Sequence, residues 1–452
     1  MFKHSGLRIF LIIWVGQVVS MLGSGMTSFA LTIWAYEQTG QATTLALLGF
    51  FSYISMTAVG LFSGVWVDRW DRRKVMIFGD LLGGLVTVTL FTLHSLDALH
   101  IWHLYAGQLV IGVSYAFQGP AYFASMSLLI PREHLSRANG LRTLGSDMSQ
   151  ILAPIFAAVL LHAIHLRGVM LLDLSTLIFA VGTLLFVRIP KPPVSDSTPA
   201  GSSRWEVFTF GMRYIVQRRG LLYMMFVYMM INFYAGLTWF GVLSAMVLSR
   251  SGGNEGALSA VQSALGIGGV LGGIVLTIWG GPKRQVHGML GIAGVSFLLG
   301  DGVLGLGRTP TAWIAGALLG SLSVPYIISS NRTIWQSKIP AEMQGRVIGT
   351  ALTLHSATTP IGYLIAGPLA DYLLEPAMQP GGALTSVFGP LVGTGPGAGM
   401  GVMFLLTALA GATTCLSGYL FPALRNVERN LPDAVVHTDV SPDLAAAVAA
   451  GD

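Results

Sequence analysis

The sequence predicts an all-α membrane protein of twelve transmembrane helices, arranged as two related bundles of six. Three observations carry this reading. The 452 residues are 53% hydrophobic and only 10% charged, with a mean hydropathy of +0.67, whereas soluble domains are about a quarter charged. Apolar stretches long enough to cross a ~30 Å hydrocarbon layer recur along the chain. One long polar break, ending near residue 219, divides them six and six.

The expected spans run over 9–36, 43–67, 75–95, 101–130, 138–163, 168–188, 220–249, 256–279, 286–307, 311–337, 346–374 and 398–422. The first starts too long, and lacks the small-residue cleavage pattern, to be a signal peptide. Pro120, Pro154, Pro325 and Pro360 fall inside spans, where neighbouring helices re-satisfy freed backbone groups, so they read as bends. Cys415 is the single cysteine, which leaves no disulfide framework and no cysteine metal site.

Charge sets the expected orientation. With the N-terminus inside, the Lys and Arg residues collect on the inner side, except for Arg167, Arg250 and Arg308 outside and Arg332 within a span. That asymmetry puts both termini in the cytoplasm of a cell whose inner or plasma membrane holds the protein. The net charge of +5 is therefore a topology signal, and no basic, aromatic stripe points to nucleic acid.

The domain plan follows: a bundle over 1–190, a cytoplasmic linker over 191–219, a second bundle over 220–426 and a disordered acidic tail over 427–452. Within the linker, Ser203 and Glu206 stand at capping-box spacing, and Trp205, Phe208, Met212 and Ile215 share a face. A helix along the inner membrane surface fits; so does a plain tether. The Gly- and Pro-rich loop over 376–397 carries no readable signal.

An internal repeat joins the halves. "IPREHLSR" at 130–137 and "IPAEMQGR" at 339–346 share Ile, Pro, Glu and Arg at an offset of 209, and the same offset puts Gly64 on Gly273, Trp70 on Trp279 and Lys74 on Lys283. Two like-oriented halves about an axis normal to the membrane is a plan used by secondary transporters.

The stretch "GVWVDRWDRRK" at 64–74 resembles the loop signature of the major facilitator superfamily, carried by Gly64, Asp68, Arg69, Arg72 and Arg73, with Asp71 in place of the usual glycine. The order of "IWVGQVVSMLGS", "WVDRWDRRKVM", "LSRANGL" and "WQSKIPAEMQGRV" is similar to the macrolide-efflux-like branch. The resemblance spans about residues 8–425.

Physics gives the signature a job. Gly60 and Gly64 allow close backbone approach, and Asp68 can accept from the first amides of a helix in the other half and pair with arginines. The resemblance implies a conformational latch for Asp68 and Arg72; for Arg69 and Lys74, enforcing topology is the plainer role. A second resemblance, to the superfamily's antiporter motif on the fifth span, falls on Gly140, Ser149, Ala153, Pro154, Ala157 and Ala158. The spacing survives while most glycines do not. It implies tight packing across the half-to-half interface, with generic small-residue packing as the alternative.

Ionisable groups in a membrane are costly and tend to be functional. Asp147 lies on a polar stripe with Thr143, Gln150 and Pro154, and His355 is the histidine near a span centre. Both are proton-coupling candidates, with a hydrogen-bonded interior histidine as the other reading of His355. Asp80 and Asp173 each lie six residues from a boundary cation, Lys74 and Arg167, and read as structural partners. Arg332 either snorkels to the inner surface or, if its helix lines the cavity, attracts anions.

Candidates for a substrate cavity are Gln17, Gln108, Tyr228, Asn232, Trp239 and Arg332. Gln108 stands where the resemblance expects an arginine, in the series Leu104, Gln108, Gly112 and Ala116. The seventh span is rich in Met and aromatic residues, which adapt to varied apolar shapes. No HExxH, GxSxG or phosphate loop is present, so an enzyme, a resident metal and a cofactor are not expected. The reading that results is a monomeric secondary transporter in a lipid bilayer, exporting amphiphilic molecules such as macrolide-like drugs or siderophores in exchange for protons. An uptake or facilitative carrier of the same fold is the alternative.

Overall fold

The computed structural model describes residues 3–131, 134–187 and 204–433. They are helical, with no strand among the described residues. The long helices are α1 (Lys3–Thr39), α2 (Ala42–Arg69), α3 (Arg72–Ser95), α4 (Ile101–Leu129), α5 (Leu135–Phe186), α6 (Arg204–Val216), α7 (Arg219–Leu237), α8 (Leu243–Arg250), α9 (Glu255–Trp279), α10 (Gln285–Leu306), α11 (Pro310–Lys338), α12 (Ala341–Pro368) and α13 (Ala398–Ser417). Nine of the described helices are long and apolar enough to cross a membrane. Among them α5 is 52 residues long and broken at His165, where φ is 55°, while α4 and α12 are long but more polar.

Short-range chemistry explains several boundaries. Asp71 caps α3, accepting from the backbone N–H of Arg73 at 3.0 Å and of Lys74 at 3.4 Å, which gives the residue that replaces the signature glycine a local job. Asn254 caps α9 through Ala257 N–H at 2.9 Å. Thr309 and Pro310 open α11. Gly280, with φ of 79°, closes α9 in the left-handed conformation.

Helix order defines two faces: a basal face holding residues 3, 70 and 433, and a distal face holding residues 40, 165 and 250. The buried core is divided between them unevenly. On the distal side one continuous cluster runs through both halves, from Met26, Leu45 and Met170 to Leu258, Trp313 and Phe404. On the basal side there are two separate clusters, one around Phe10, Met76 and Met126 and one around Met224, Met289 and Trp335. The halves are fused at one end and parted at the other.

Two expectations are corrected. Residues 427–433 are ordered rather than part of a disordered tail, because Val427 is buried, Glu428 accepts the backbone N–H of Gln285 and Val286 at 3.0 Å each, and Lys338 reaches Glu428 O, Leu431 O and Asp433. Helix α6 does not lie alone on a membrane surface: Ile215 is fully buried in the basal core of the second half, Gly211 packs on Thr350 of α12, and Arg346 lies over the Phe210 ring at 5.7 Å. Ser203, the side chain of Trp205 and residues 434–452 lie outside the described residues.

Candidate transport site

The distal closure is built from two helix pairs that cross between halves, α2 with α12 and α5 with α9. Gly49 packs on the Tyr363 ring, Gly367 on the Thr43 backbone and Gly266 on Ile151, leaving no room for a Cβ at any of the three. Ser263 donates to Ile151 O at 2.9 Å. Beyond these contacts, the Asp371 carboxylate accepts the backbone N–H of Ala42 at 3.0 Å and of Thr43 at 2.7 Å, and His162 approaches Glu255 at 3.7 Å. Toward the basal face, a Cβ added at Gly60, Gly140, Gly269, Gly273, Gly345 or Gly349 meets nothing within 4 Å.

A cavity of about 280 Å³ sits between the halves just inside the closure. Ser28, Ser52, Tyr53 and Gln108 line it from the first half, Phe240 and Tyr363 from the second. Gln108 is thus placed on the cavity wall. The remaining cavity candidates divide. Gln17 donates to Asp80 at 3.1 Å inside the first half, Trp239 donates to Asp301 inside the second, and Asn232 bonds the Tyr228 carbonyl of its own helix at 2.9 Å. Tyr228 packs on His355, ring centroids 4.5 Å apart, and stands within electrostatic reach of Arg332 and of Tyr53 on α2. Arg332 is exposed.

His355 is buried, and neither ring nitrogen has a hydrogen-bond partner. The hydrogen-bonded interior histidine is therefore not what the fold builds; Tyr228 and Trp335 enclose it with ring faces and edges instead. Asp147 is half-buried on α5, one turn basal of Ile151, and forms no hydrogen bond among the described residues. It faces the parted region rather than joining His355.

The signature arginines act locally in this conformation. Arg73 donates through Nε to Leu184 O at 2.6 Å and through Nη2 to Leu185 O, tying α3 to the end of α5 within one half. Arg72 keeps Nε and Nη1 buried without a hydrogen bond. Expectations placed on Gly64, Asp68 and Arg69 fall outside the described side chains. On the fifth span, Ala153 meets Gly25 of α1, and Gly145 meets Trp14 and Val18, so that small-residue face packs inside its own half. The contact across halves comes instead from the next face, at Ile151. Pro154 and Ala157 are buried, Ala158 is half-buried, and Ser149 is buried with its hydroxyl unpaired.

Asp80 and Asp173 do not pair with Lys74 and Arg167. Six residues along a helix is about 9 Å of axis and about 120° of turn, so their partners come from other helices. Asp80 accepts from Gln17 and Gln118, and Asp173 from Ser24 and Thr87, each at 3.0 Å. Arg167 turns to His94 O and Asp97. A third buried carboxylate, Asp301, was invisible to sequence reasoning; it accepts from Trp239 and from Thr407 at 2.8 Å.

With this geometry in view, comparison with known proteins decides the family. The family model described as Major Facilitator Superfamily matches residues 13–363. The chain belongs to the major facilitator superfamily. It is 28% identical to Macrolide efflux protein A of Streptococcus pyogenes over 378 residues, covering 80% of this chain and 89% of that one. The protein of the same name from Enterococcus faecalis is 28% identical over 335 residues, 71% of this chain and 98% of the relative. Among solved structures, the nucleoside transporter NupG matches with a TM-score of 0.68 at 11% identity, covering 91% of this chain and 99% of that one. A bacterial homolog of the human lysosomal transporter Spinster, in an inward-facing and unoccupied conformation, matches at 0.65 and 13%, covering 94% and 98%. These structural likenesses speak to the fold. The chain is a multi-pass membrane transporter of this superfamily.

Proposed function

We propose that this transporter exports amphiphilic small molecules, macrolide-like drugs among them, in exchange for protons, by alternating access between its two halves. One observation carries the mechanism: a single core fuses the halves distally while two cores stay apart basally. Such an arrangement is one of two states that a rocking pair can occupy, and substrate or protons shift the balance only through unequal affinity for the two. The Lys and Arg asymmetry puts the basal face in the cytoplasm, so this conformation loads from inside the cell. Export as the direction is favoured by the 28% identity to macrolide efflux proteins over most of the chain. Tyr228, Tyr53, Phe240 and Tyr363 give the path adaptable aromatic faces, while Asp147 at the parted interface and His355 behind Tyr228 are the groups assigned to coupling.

Inside-out vesicles test this. With an acid lumen, wild-type protein should accumulate a radiolabelled macrolide, and Asp147→Asn should lose the dependence on the gradient. Accumulation only from the opposite side would favour the uptake carrier, and unchanged gradient dependence in Asp147→Asn would remove that residue from coupling.

A further inference from the structure

The cavity between the halves has two chemically different walls. The first half lines it with the hydroxyls of Ser28, Ser52 and Tyr53 and the side-chain amide of Gln108. None of these four groups forms a hydrogen bond among the described residues. Two further hydroxyls on the lining are already engaged, since Thr32 donates to Ser28 O at 2.8 Å and Ser244 accepts from Gln262 at 3.3 Å. The second half supplies ring faces instead: Phe240 and Tyr363 stack with centroids 6.2 Å apart and planes 27° from parallel. Tyr53 meets Tyr363 across the halves at 6.4 Å. Among the described residues, no charged side chain lines the cavity. Gln108, where the resemblance expects an arginine, brings an amide in place of a cation.

These walls select among ligand chemistries. A hydroxyl both donates and accepts, and an amide carries two N–H donors beside its carbonyl, so the first-half wall asks for a ligand that does both. An anion would enter without a counter-charge and lie against ring faces that carry negative potential. A cation can rest over such faces, but it only donates, and the Gln108 N–H groups would stay unmatched at the cost of their hydration. A neutral ring with hydroxyls round its edge and C–H groups on its faces satisfies both walls together. Size agrees: the cavity, of about 280 Å³, falls below the ~300–1,000 Å³ of pockets for drug-sized ligands. It holds one such ring, and the rest of a larger molecule has to lie toward the parted basal side.

We propose that this cavity binds a neutral, polyhydroxylated ring of the sugar type, its edge on Ser28, Ser52, Tyr53 and Gln108 and its C–H face on Phe240 and Tyr363. Because the two walls belong to different halves, the bound ring bridges them. The inference rests on the reading of this cavity as a transport pocket and narrows its substrates to molecules that carry such a ring, charge being no requirement.

Saturation-transfer NMR on the full-length protein in lipid nanodiscs tests this, with empty nanodiscs as the blank. The probes are phenyl β-glucoside, benzyltrimethylammonium and benzoate, which share an aromatic body and differ in charge. The glucoside should receive saturation at its sugar C–H protons and bind more tightly than either ion. Gln108→Leu should raise its dissociation constant about tenfold, the effect of one lost hydrogen-bonding group. Ser52→Ala, a change of one oxygen, serves if Gln108→Leu protein cannot be recovered. Methyl β-glucoside separates the sources: binding as tight as the phenyl compound's assigns the site to free sugars, and weaker binding to a ring carried on a larger amphiphile. No transfer to the glucoside, equal or tighter binding of either ion, or a dissociation constant unmoved by both variants overturns the proposal. Wild-type vesicles that fail to accumulate a macrolide under a pH gradient would contradict the proposed function while leaving glucoside binding intact.

Discussion

Asp371, just past the distal end of α12, accepts the backbone N–H of Thr43 at 2.7 Å and so caps a helix of the other half. Gln41, the residue that precedes α2, makes no side-chain cap of its own. The first amides of α2 are left for a carboxylate 328 residues further on, where charge and helix dipole attract. The arrangement resembles, on the distal face, the cap expected of Asp68 at the other end of α2.

Replacing Asp371 by Asn removes the charge and keeps the shape. At about 1 kcal/mol for a partly buried carboxylate at a helix N-terminus, the distally closed state should lose roughly fivefold in population. Increased labelling of a cysteine introduced at Ser52 by an impermeant reagent from outside would show it; unchanged labelling would leave Asp371 without a gating role.

Gly49 has Tyr363 where a Cβ would go. Gly49→Val should therefore hold the distal side open and cut transport severely, while Tyr363→Ala in the same chain restores closure. Loss of transport that the second change does not relieve would place the defect elsewhere.

Arg250 anchors the distal loops through three carbonyls, Gly397 at 3.0 Å, Gly307 at 2.6 Å and Val392 at 3.1 Å, beside Glu375, which holds Gly397 N–H and Met400 N–H at 2.9 Å each. Arg250→Met should cost about 3 kcal/mol, since hydrogen bonds to charged groups contribute roughly 1.5–3 kcal/mol each and part is recovered by water. A clear fall in the thermal midpoint in detergent checks it, and a midpoint within error of wild type would refute it.

His355→Leu fills the same aromatic enclosure without two unpaired nitrogens, each of which costs on the order of 1–3 kcal/mol when buried. Stability should rise or hold while gradient-driven transport falls at least tenfold. Lower stability, or intact coupling, would make His355 a packing residue.

Much of the fold was legible because hydrocarbon allows few solutions: an all-helical membrane fold of the superfamily follows from apolar length and local spacing. What failed depended on partners far away in sequence. Asp80 and Asp173 were matched to nearby cations, although their donors come from helices up to 149 residues distant. The loop over 376–397 looked featureless because the groups that organise it, Arg250 and Glu375, lie outside it. Residues 427–433 carry no periodicity, yet Lys338 and the start of α10 hold them. Trp239 read as a cavity residue from its polar atom, which Asp301 already occupies.

The central claim is that the halves rock, so that one face closes as the other opens. In a Cys415→Ala background, electron–electron resonance distances between spin labels at Gln41→Cys and Gln379→Cys report the distal face, and those at Arg137→Cys and Lys283→Cys the basal one. Adding a macrolide or changing pH should lengthen the distal distance while shortening the basal one in the same molecules. Distances that stay fixed, or that change at one face alone, would contradict the account.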